Sequence, residues 1–542
     1  MHRTTDISKS VDSSLIQLLR QPGAYPHPVT AVEVIETHIS WVLLAGDFAY
    51  KIKKPLDLGF LNFIDLQRRR FYCEEEIRLN KPWAPSVYLA VVPIMMCGDK
   101  AKIDGSGSVV EYAVKMRRFD PAKCLDVELA TGNLSVADML EVAAMLAKRH
   151  HTTPVITAKL RTQTVSRAID LIRENFEPLD GVIEKPLFDE LYRWTIKQLE
   201  ELTPYFWKRF DGGFFRECHG DLHLANIVRL PDGITTFDCI EFSDSLRNTD
   251  VMADIAFLIM DLVDKQRLDL AAHCINRYLE ITGDYDGMRV FNLYYTYRCL
   301  VRAKVAVIRA EERKDSDDRR RNLEDAHRHC KMARRQIRSQ TPLLMVMTGL
   351  SGSGKTWVSG QLMAALPAIR IRSDIERKRL FGLNETASSN SGLNTGIYND
   401  AVSKDLYSLL NTLATALLQA GHNVVLDASF LRVEQRASAH AAAKCCQARF
   451  VLLQTVADEA LLQTRIRARK NRHDDASEAD ATVLPQQLRN AEALTAEEQS
   501  WTVSCNTEEV DVSRLVENIH RKTGPGRLAP SVPMAGTLAA RI

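Results

Sequence analysis

Hydrophobic and polar residues alternate along the first part of the chain in a pattern that predicts strands before helices. The segment AVEVIETHISWVLLAGDFAYKIKKP contains two β-rich runs separated by turn residues at 45–47, which predicts a hairpin. A charged segment with helical periodicity, LQRRRFYCEEEIRLN, follows, and more strands are predicted around LAVVPIMM and EYAVKMRRF. Helical periodicity dominates from Val136 onward. We therefore predict one domain over 25–310, with a β-rich lobe over about 25–120 and a helical lobe over about 121–310.

A second pattern begins at Leu343, where an apolar strand opens an alternation of strands and helices that continues to about Arg521. Such an alternation is typical of a parallel α/β domain, which we expect at 341–521. The preceding residues, 311–340, carry charges of both signs and few large apolar side chains, which predicts a solvated helical connector. The final segment, 522–542, is rich in Pro and Gly and lacks periodicity, so we expect a disordered tail.

Composition narrows the classes of partner. The chain of 542 residues has 71 Lys and Arg against 69 Asp and Glu, a net charge of +2. It therefore lacks the broad positive field that non-specific nucleic-acid binding or docking to an anionic membrane requires. No apolar run approaches the roughly 20 residues of a spanning helix, and the N-terminus lacks the apolar core of a secretory signal. Eleven cysteines without a CxxC pair indicate reduced thiols, and we expect a cytoplasmic protein without a membrane partner.

The strongest motif lies at the start of the second domain. LLMVMTGLSGSGKTWVSGQL reads as strand, Gly-rich loop and helix, and it matches GxxxxGK[ST]. In such a loop, backbone N–H groups surround the phosphates, the lysine neutralises the β and γ groups, and the threonine hydroxyl reaches Mg²⁺. The motif predicts nucleotide binding, with ATP and Mg²⁺ as the expected cofactors. The predicted nucleotide-binding residues are Gly349, Ser351, Gly352, Ser353, Gly354, Lys355 and Thr356, the last of which also binds the metal.

Other polar residues of this domain fit the same chemistry. Asp427 ends the buried-type strand of GHNVVLDASF, where a metal-orienting carboxylate belongs; a plain Asp at a strand end is the alternative. In RIRSDIERKRL, Asp374 is predicted to accept the proton of a substrate hydroxyl and Arg377 to hold the anionic part of the substrate; surface charge pairing is the alternative. Arg465 and Arg469 share one helix face and are predicted to close over the nucleotide as part of a lid, with a solvated basic face as the alternative.

A second catalytic constellation lies in the helical lobe of the first domain. HGDLHLAN places His219, Asp221 and Asn226 at the spacing HxDxxxxN, for which a turn with capping Asp and Asn is the alternative. Asp238 follows a short predicted hairpin whose turn is PDG. In this arrangement Asp221 accepts the proton of the substrate hydroxyl, while Asn226 and Asp238 hold Mg²⁺ on the phosphates.

The phosphates of this constellation need a cation upstream. Lys51 in the strand DFAYKIKKP is the candidate, oriented by a carboxylate from the helix FYCEEEIRLN. We predict Glu75 as that carboxylate, with Glu76 as the next choice; the alternative for Lys51 is a merely solvated lysine. No GxGxxG loop precedes it, so the turn from Thr37 to Ser40 is expected to cover the phosphates with backbone amides and hydroxyls.

These motifs resemble known families. HGDLHLANI resembles the Brenner motif of the aminoglycoside and choline phosphotransferases, and FDCIEF resembles the metal-binding Asp motif of that family, over about residues 30–310. The segment 341–521 resembles the small P-loop kinases related to polynucleotide, gluconate and chloramphenicol kinases, in particular their AAA-type ATPase branch, through GLSGSGKT, SDIER, VVLDASF and DASEAD. The combined order resembles the bacterial bifunctional aminoglycoside phosphotransferase-like/ATP-binding proteins. The resemblance implies a two-lobed α+β protein-kinase-like fold followed by an α/β P-loop NTPase domain with a parallel sheet.

The sequence thus predicts an ATP-dependent phosphotransferase with two nucleotide-binding modules and a small-molecule hydroxyl acceptor. Gly220 stands where the protein-kinase loop has Arg, and no APE-ended activation loop is present, which favours a small-molecule acceptor over a protein. One alternative is a polynucleotide-type end-processing kinase that grips phosphates with Arg319, Arg320 and Arg321, although the near-neutral charge makes nucleic acid a disfavoured partner. The other is a non-catalytic, ATP-dependent switch.

Overall fold

The chain forms two units, each with its own sheet. The computed structural model describes residues 14–524, apart from 58, 60, 314, 339, 340, 386, 388, 390–395, 473–475 and 479–482. The first unit comprises Met1–Asp180 and Thr195–Asp261, and the second comprises Gly181–Trp194 and Leu262–Ile542. The predicted tail at 522–542 lies almost entirely outside the described residues.

An antiparallel sheet and one helix form the β-rich part of the first unit. The strands are β1 Val32–Glu36, β2 Ser40–Ala45, β3 Phe48–Lys53, β4 Tyr88–Cys97, β5 Lys100–Ile103 and β6 Ser108–Arg117, and the helix is α1 Leu66–Asn80. The sheet order is β1-β2-β3-β6-β4-β5. The predicted hairpin is β2 and β3, and Gly46 supplies the positive φ of 58° that their tight turn requires. Alternate residues of these strands, including Leu43, Tyr50 and Ile52, enter one buried core.

Helices dominate the rest of the first unit. They are α2 Leu125–Ala130, α3 Val136–Thr152, α4 Arg161–Arg173, α5 Lys185–Asp211, α6 Asp244–Arg247 and α7 Val251–Asp264, and α5 and α7 contribute residues to both units. Four short strands, β7 Phe215–Glu217, β8 Ile227–Leu230, β9 Gly233–Thr236 and β10 Asn248–Asp250, accompany them. β8 and β9 form the hairpin predicted from the PDG turn, and β7 pairs with β10. The predicted two-lobed α+β fold class is confirmed.

A five-stranded parallel sheet forms the centre of the second unit. Its strands are β11 Leu343–Thr348, β12 Ala368–Arg372, β13 Asn423–Asp427, β14 Arg449–Val456 and β15 Thr502–Asn506, in the order β12-β13-β11-β14-β15. Every strand pair is parallel, which confirms the predicted α/β class. The helices that follow the strands are α11 Lys355–Ala365, α12 Ser373–Leu380, α13 Asp400–Gln419, α14 Val433–Cys445, α15 Glu459–Arg472, α16 Val483–Asn490, α17 Ala496–Ser500 and α18 Val512–Thr523. All six residues of β11 are buried, as expected for a central strand covered on both faces.

Three helices that precede this sheet in sequence belong to the same unit. They are α8 Leu268–Thr282, α9 Met288–Glu312 and α10 Ser316–Ile337. On α8, the Asn276 carboxamide donates to Ala368 O at 2.9 Å and accepts from Arg370 N at 2.6 Å, so it satisfies the backbone of edge strand β12. Contacts within the chain thus group α8 and α9 with the parallel sheet.

The segment predicted as a solvated helical connector is helical, but one of its faces is buried. Helix α10 occupies most of 311–340 and packs along α9. Its buried face repeats at helical spacing, at Ala326, Cys330, Ala333 and Ile337. Three of the six buried residues of this helix are Ala or Cys and one is a histidine, so the apolar stripe is weak in the sequence beside the many charges on the other faces. Among the described residues, no helix is long and apolar enough to cross a membrane, and all eleven cysteines, which lie within them, are free thiols.

Candidate active sites

Lys51 lies at the centre of a buried charge cluster in the first unit. Its Nζ is 2.9 Å from Glu76 Oε1 and 2.6 Å from Asp238 Oδ1. Burial alone would lower the pKa of Lys51, but the carboxylates of Asp238 and Glu76 outweigh burial and hold this pKa well above its usual range. Lys51 is therefore a fixed cation beside Asp238.

The predicted pairing of Lys51 with Glu75 is wrong, because the partner on α1 is Glu76. Glu75 instead pairs with Arg78 at 2.8 Å and lies 3.5 Å from Arg247. The reason is the phase of the helix, whose buried residues are Arg69, Cys73, Glu76, Leu79 and Asn80. Glu75 lies outside that face, where it meets the exposed Arg78 and the buried Arg247.

A second buried ion pair supports the first. Lys53 Nζ lies 2.8 Å from Glu76 Oε2 and also donates to Glu241. Burial opposes the charge of Glu76, but Lys51 and Lys53 together lower its pKa below the ordinary value. Sequence reasoning missed Lys53 and Glu241. The signal was the period-two spacing of Lys51 and Lys53, which places both side chains on one face of β3.

The start of the loop with the HxDxxxxN spacing is anchored by a buried carboxylate on α7. Asp254 accepts from the backbone N–H of His219 at 2.7 Å and of Gly220 at 3.0 Å. His219 Nε2 lies 2.9 Å from Phe237 O, and its Nδ1 accepts from Asp221 N at 3.3 Å. These contacts assign the neutral tautomer with the proton on Nε2, and burial lowers the pKa of His219. Asp254 was also missed, although a lone charge inside the apolar run VMADIAFLIM is a signal.

Gly220 adopts a backbone conformation that would be strained for the Arg that protein-kinase loops have at this position. Its φ is +83°, and a Cβ would lie 3.1 Å from Leu246 O. Residues other than Gly are strained in this region of φ. The difference from the protein-kinase pattern is thus built into the backbone.

The predicted Asp221 and Asn226 contact each other, and the predicted Asp238 lies beside Lys51. Asn226 Nδ2 donates to Asp221 Oδ2 at 3.2 Å and to Asp221 O at 2.9 Å, which leaves its carboxamide oxygen for a metal. The side chains of Asp221 and Asp238 are 42% and 46% exposed, so both are accessible from solvent. Asp238 has a φ of +62°, and its N–H donates to the hydroxyl of Tyr88 at 3.0 Å. Strained backbone of this kind is concentrated at functional sites.

The turn predicted to cover the phosphates joins β1 to β2. The Thr37 N–H donates to Ser40 O at 2.9 Å, and the Ser40 N–H donates to Thr37 Oγ1 at 3.0 Å. These two backbone donors are therefore used inside the turn.

Glycines shape the phosphate loop of the second unit. Gly349, Gly352 and Gly354 all have positive φ, and a Cβ at Gly349 would lie 2.5 Å from Thr455 Oγ1. Lys355 Nζ donates to Gly349 O at 2.9 Å and to Leu350 O at 2.8 Å. The loop thus folds around its lysine at the N-terminus of α11, where backbone N–H groups favour anions.

The predicted metal residues lie at this loop. Thr356 is exposed in the first turn of α11, and Asp427 is buried at the end of β13. Asp427 Oδ2 accepts from Ser359 Oγ at 3.0 Å and lies 3.9 Å from Arg372 Nε. Oxygen donors of these types suit Mg²⁺.

One cleft of about 1980 Å³ brings the remaining predicted residues together, and it is lined by Lys355, Thr356, Asp374, Arg377, Asp427 and Arg465. Arg377 is largely buried and donates to Ile397 O at 2.8 Å, while its Nε has no hydrogen-bond partner among the described residues. Arg465 donates to Thr507 Oγ1 at 2.8 Å and to Thr507 O at 3.1 Å. The side chain of Arg469 lies outside the described part of the structure. Gln487 also lines the cleft and was missed by sequence reasoning.

Comparisons with known proteins find similar sequences and structures. A family model described as an AAA domain matches residues 344–494. An uncharacterized protein of Mycobacterium tuberculosis is 30% identical over 467 residues, which cover 84% of this chain and 91% of the relative. Among solved structures, a choline/ethanolamine kinase family protein from Mesorhizobium loti is 13% identical, with 60% of this chain and 97% of that chain covered and a TM-score of 0.38.

A further solved structure, a putative kinase from Chloroflexus aurantiacus, is 20% identical, with 34% of this chain and 99% of that chain covered and a TM-score of 0.27. The mycobacterial relative matches across both units, since 84% of this chain is aligned. The chain therefore belongs to the family of this mycobacterial protein, and its residues 344–494 match the AAA domain.

Proposed function

We propose that the protein is an ATP-dependent phosphotransferase with two sites, each of which transfers the γ-phosphate of Mg-ATP to a hydroxyl of a small-molecule acceptor. The observation that carries this proposal is the convergence of segments distant in sequence. Lys51 pairs with Asp238, and Asn226 donates to Asp221. The two pairs are linked by the backbone, because the N–H of Phe237 donates to Asn226 O at 3.0 Å. Such convergence is expected of a catalytic site and has no evident structural purpose at half-exposed carboxylates.

In the kinase-like site, the chain's residues divide the work. Lys51 is held by Glu76 and binds phosphate oxygens, and Asp221 accepts the proton of the attacking hydroxyl. Asn226 and Asp238 are the residues that would hold Mg²⁺, which supplies charge neutralisation when bound. His219 stays neutral and fixes the loop through Phe237 O.

In the P-loop site, the loop's N–H groups and Lys355 bind the phosphates, and Thr356 and Asp427 are the residues that would hold Mg²⁺. Asp374 accepts the proton of the acceptor hydroxyl, and Arg377 holds its anionic part. The cleft of about 1980 Å³ exceeds the roughly 300–1,000 Å³ of a single small-molecule site. It therefore has room for a nucleotide and an acceptor together, and hydrolysis of ATP occurs there when water replaces the acceptor.

The charges on α10 disfavour nucleic acid as the acceptor. Arg320 lies 3.4 Å from Asp317 and 3.9 Å from Glu324, and Arg321 donates to Asp318. These exposed arginines are neutralised by acids of their own helix, so they do not form a phosphate-binding stripe. We further propose a cytoplasmic location, because the thiols are free and ATP is abundant there.

The test is transfer of labelled γ-phosphate from ATP into the small-molecule fraction of a cell extract. Wild-type protein is compared with Asp221→Ala and Lys355→Ala, and we expect at least one labelled metabolite that is absent with one variant and present with the other. Binding of nucleotide without any labelled product beyond free phosphate would contradict the proposal and favour an ATP-dependent switch. Label in RNA or DNA ends would contradict the small-molecule acceptor.

A further inference from the structure

Gln487 makes a direct contact with the phosphate loop of the second unit. It lies on α16, and its Oε1 accepts a hydrogen bond from the backbone N–H of Ser351 at 2.7 Å. A carboxamide has an acceptor oxygen and a nitrogen with two donors. Because the oxygen is bound to the loop and Gln487 lines the cleft, the nitrogen is the group left to donate into the cleft.

The helix that carries Gln487 is docked onto the loop by an apolar contact. Leu484, one helical turn before Gln487, is buried in a cluster with Leu462 and Ile466 of α15, and Leu350 of the loop packs against this cluster. Residues three apart lie on the same side of a helix. The same face of α16 therefore buries Leu484 beside Leu350 and directs Gln487 to Ser351, so two independent contacts fix the position of the carboxamide.

We propose that Gln487 is a further catalytic residue of the P-loop site, whose Nε2 donates to a γ-phosphate oxygen while its Oε1 remains on the Ser351 N–H. This inference rests on the proposed function of that site. During transfer, the acceptor oxygen forms a bond to the γ-phosphorus, and the bond from that phosphorus to the β–γ bridging oxygen breaks. ADP leaves with the electron pair, and the proton of the hydroxyl passes to Asp374.

A fixed neutral donor fits the electrostatics of this step. Charge is spread over the three equatorial oxygens in the transition state, and a donor that is already oriented stabilises it without further reorganisation. Loss of one such donor lowers kcat by about 10²- to 10³-fold in a well-studied case. We therefore expect the effect of Gln487 on kcat and not on the binding of ATP.

The experiment measures phosphate release from Mg-ATP, with water as acceptor, by the full-length protein, and it counts only the activity that Lys355→Ala abolishes. Gln487→Ala removes the donor. Gln487→Glu keeps an oxygen for Ser351 but replaces the donor with a carboxylate. Arg489→Ala is the control, because Arg489 is exposed on the same helix and does not line the cleft.

We expect Gln487→Ala and Gln487→Glu to lower kcat at least about tenfold. For Gln487→Ala, the Kd of ATP stays within about threefold of that of the control and the Tm is unchanged. A loss of ATP affinity that matches the loss of activity, a lowered Tm, or full activity of Gln487→Glu would overturn the inference. If wild-type protein shows no Lys355-dependent release, the proposed function of this site fails and the inference fails with it. If wild-type protein shows Lys355-dependent release and Gln487→Ala retains all of it, the inference fails while the proposed function of the site stands.

Discussion

The two candidate sites are built by opposite strategies. In the kinase-like site, side chains far apart in sequence meet, since Lys51 and Asp238 are 187 positions apart and lie 2.6 Å from each other. In the P-loop site, a single segment of eight residues supplies the loop, and Lys355 donates to carbonyls only five and six residues away. The first depends on tertiary folding for its geometry, whereas the second is mainly a property of local backbone.

The comparison shows that Lys51 stabilises its unit in addition to its role at the site. Lys51 neutralises buried Glu76 and is itself almost fully buried, so it belongs to the stability of its unit as well as to the site. Lys355 is only partly buried and contacts neutral carbonyls. Stability and activity should therefore be coupled in the first unit and separable in the second.

The largest expected effect is on catalysis by each site alone. Asp221→Asn should lower transfer by the kinase-like site by about 10²- to 10⁴-fold, because it removes a general base, and Asp374→Asn should do the same at the P-loop site. Rates of labelled-phosphate transfer measure both. Asp232→Asn, in the exposed turn between β8 and β9, is the control and should leave both rates unchanged. Equal loss at both sites from one substitution would contradict their independence.

The next largest expected effect is a difference between Lys51 and Lys355 in their contribution to the free energy of unfolding. Lys51→Met leaves Glu76 and Asp238 with one cation fewer and should cost roughly 3–5 kcal/mol in the free energy of unfolding. Lys355→Met loses hydrogen bonds from a partly buried ammonium to neutral carbonyls and should cost less, about 1–3 kcal/mol. Urea unfolding, with the two units followed by hydrogen exchange, measures both changes. Equal costs for the two variants would break the comparison.

Substitution of one glycine in each site should also have different consequences, on ATP affinity for Gly349 and on stability for Gly220, and both effects should be smaller than those of the lysines. Gly349→Ala places a Cβ 2.5 Å from Thr455 Oγ1, so the phosphate loop must shift, and we expect ATP affinity at that site to fall at least about tenfold, or 1.4 kcal/mol. Gly220→Ala should cost about 1–2 kcal/mol of stability from its positive φ. Gly132→Ala has the same sign of φ with no atom within 4 Å of the new Cβ, so calorimetry and unfolding of this variant isolate the backbone cost. An unchanged ATP affinity in Gly349→Ala would contradict the loop geometry.

The smallest predicted effect is on pH dependence in the first unit. Burial lowers the pKa of His219 below its ordinary value of 6.5, so the folded protein binds this proton less readily than the unfolded chain. The resulting stability is present above pH 6.5 and is lost as pH falls through the folded pKa. At about pH 5.5 part of this stability is lost, and His219→Gln, which retains a donor for Phe237 O, should remove this pH dependence. Unfolding at about pH 7 and 5.5 tests this, and an unchanged pH dependence in the variant would contradict it.

The same contrast explains what could be predicted from the sequence. The parallel sheet and the P-loop could be predicted because local patterns of apolar runs and glycines indicate them. The partner of Lys51 was assigned to Glu75 because the buried face of α1 is marked by Arg69, Cys73 and Glu76, which do not form an apolar stripe. The sequence predicts a solvated connector at helix α10 for a related reason, since half of its buried residues are small, such as Ala326 and Ala333.

Residues that act through tertiary contacts could not be predicted from sequence motifs. Asp254 lies 35 positions from His219, whose N–H it holds, and Gln487 lies 136 positions from Ser351. Neither has a spacing rule, because a helix may place either residue type on any face. Such positions become visible only when the fold brings the helix to the loop.

The central claim, that one chain carries two independent nucleotide sites, is tested most directly by calorimetric titration of the full-length protein with Mg-ATP. We predict two sites in wild-type protein, one in Lys51→Met, one in Lys355→Met, and none in the double variant. Lys51→Met is titrated at a temperature where hydrogen exchange shows the first unit to be folded. A single site in wild-type protein that survives either substitution unchanged would contradict the claim.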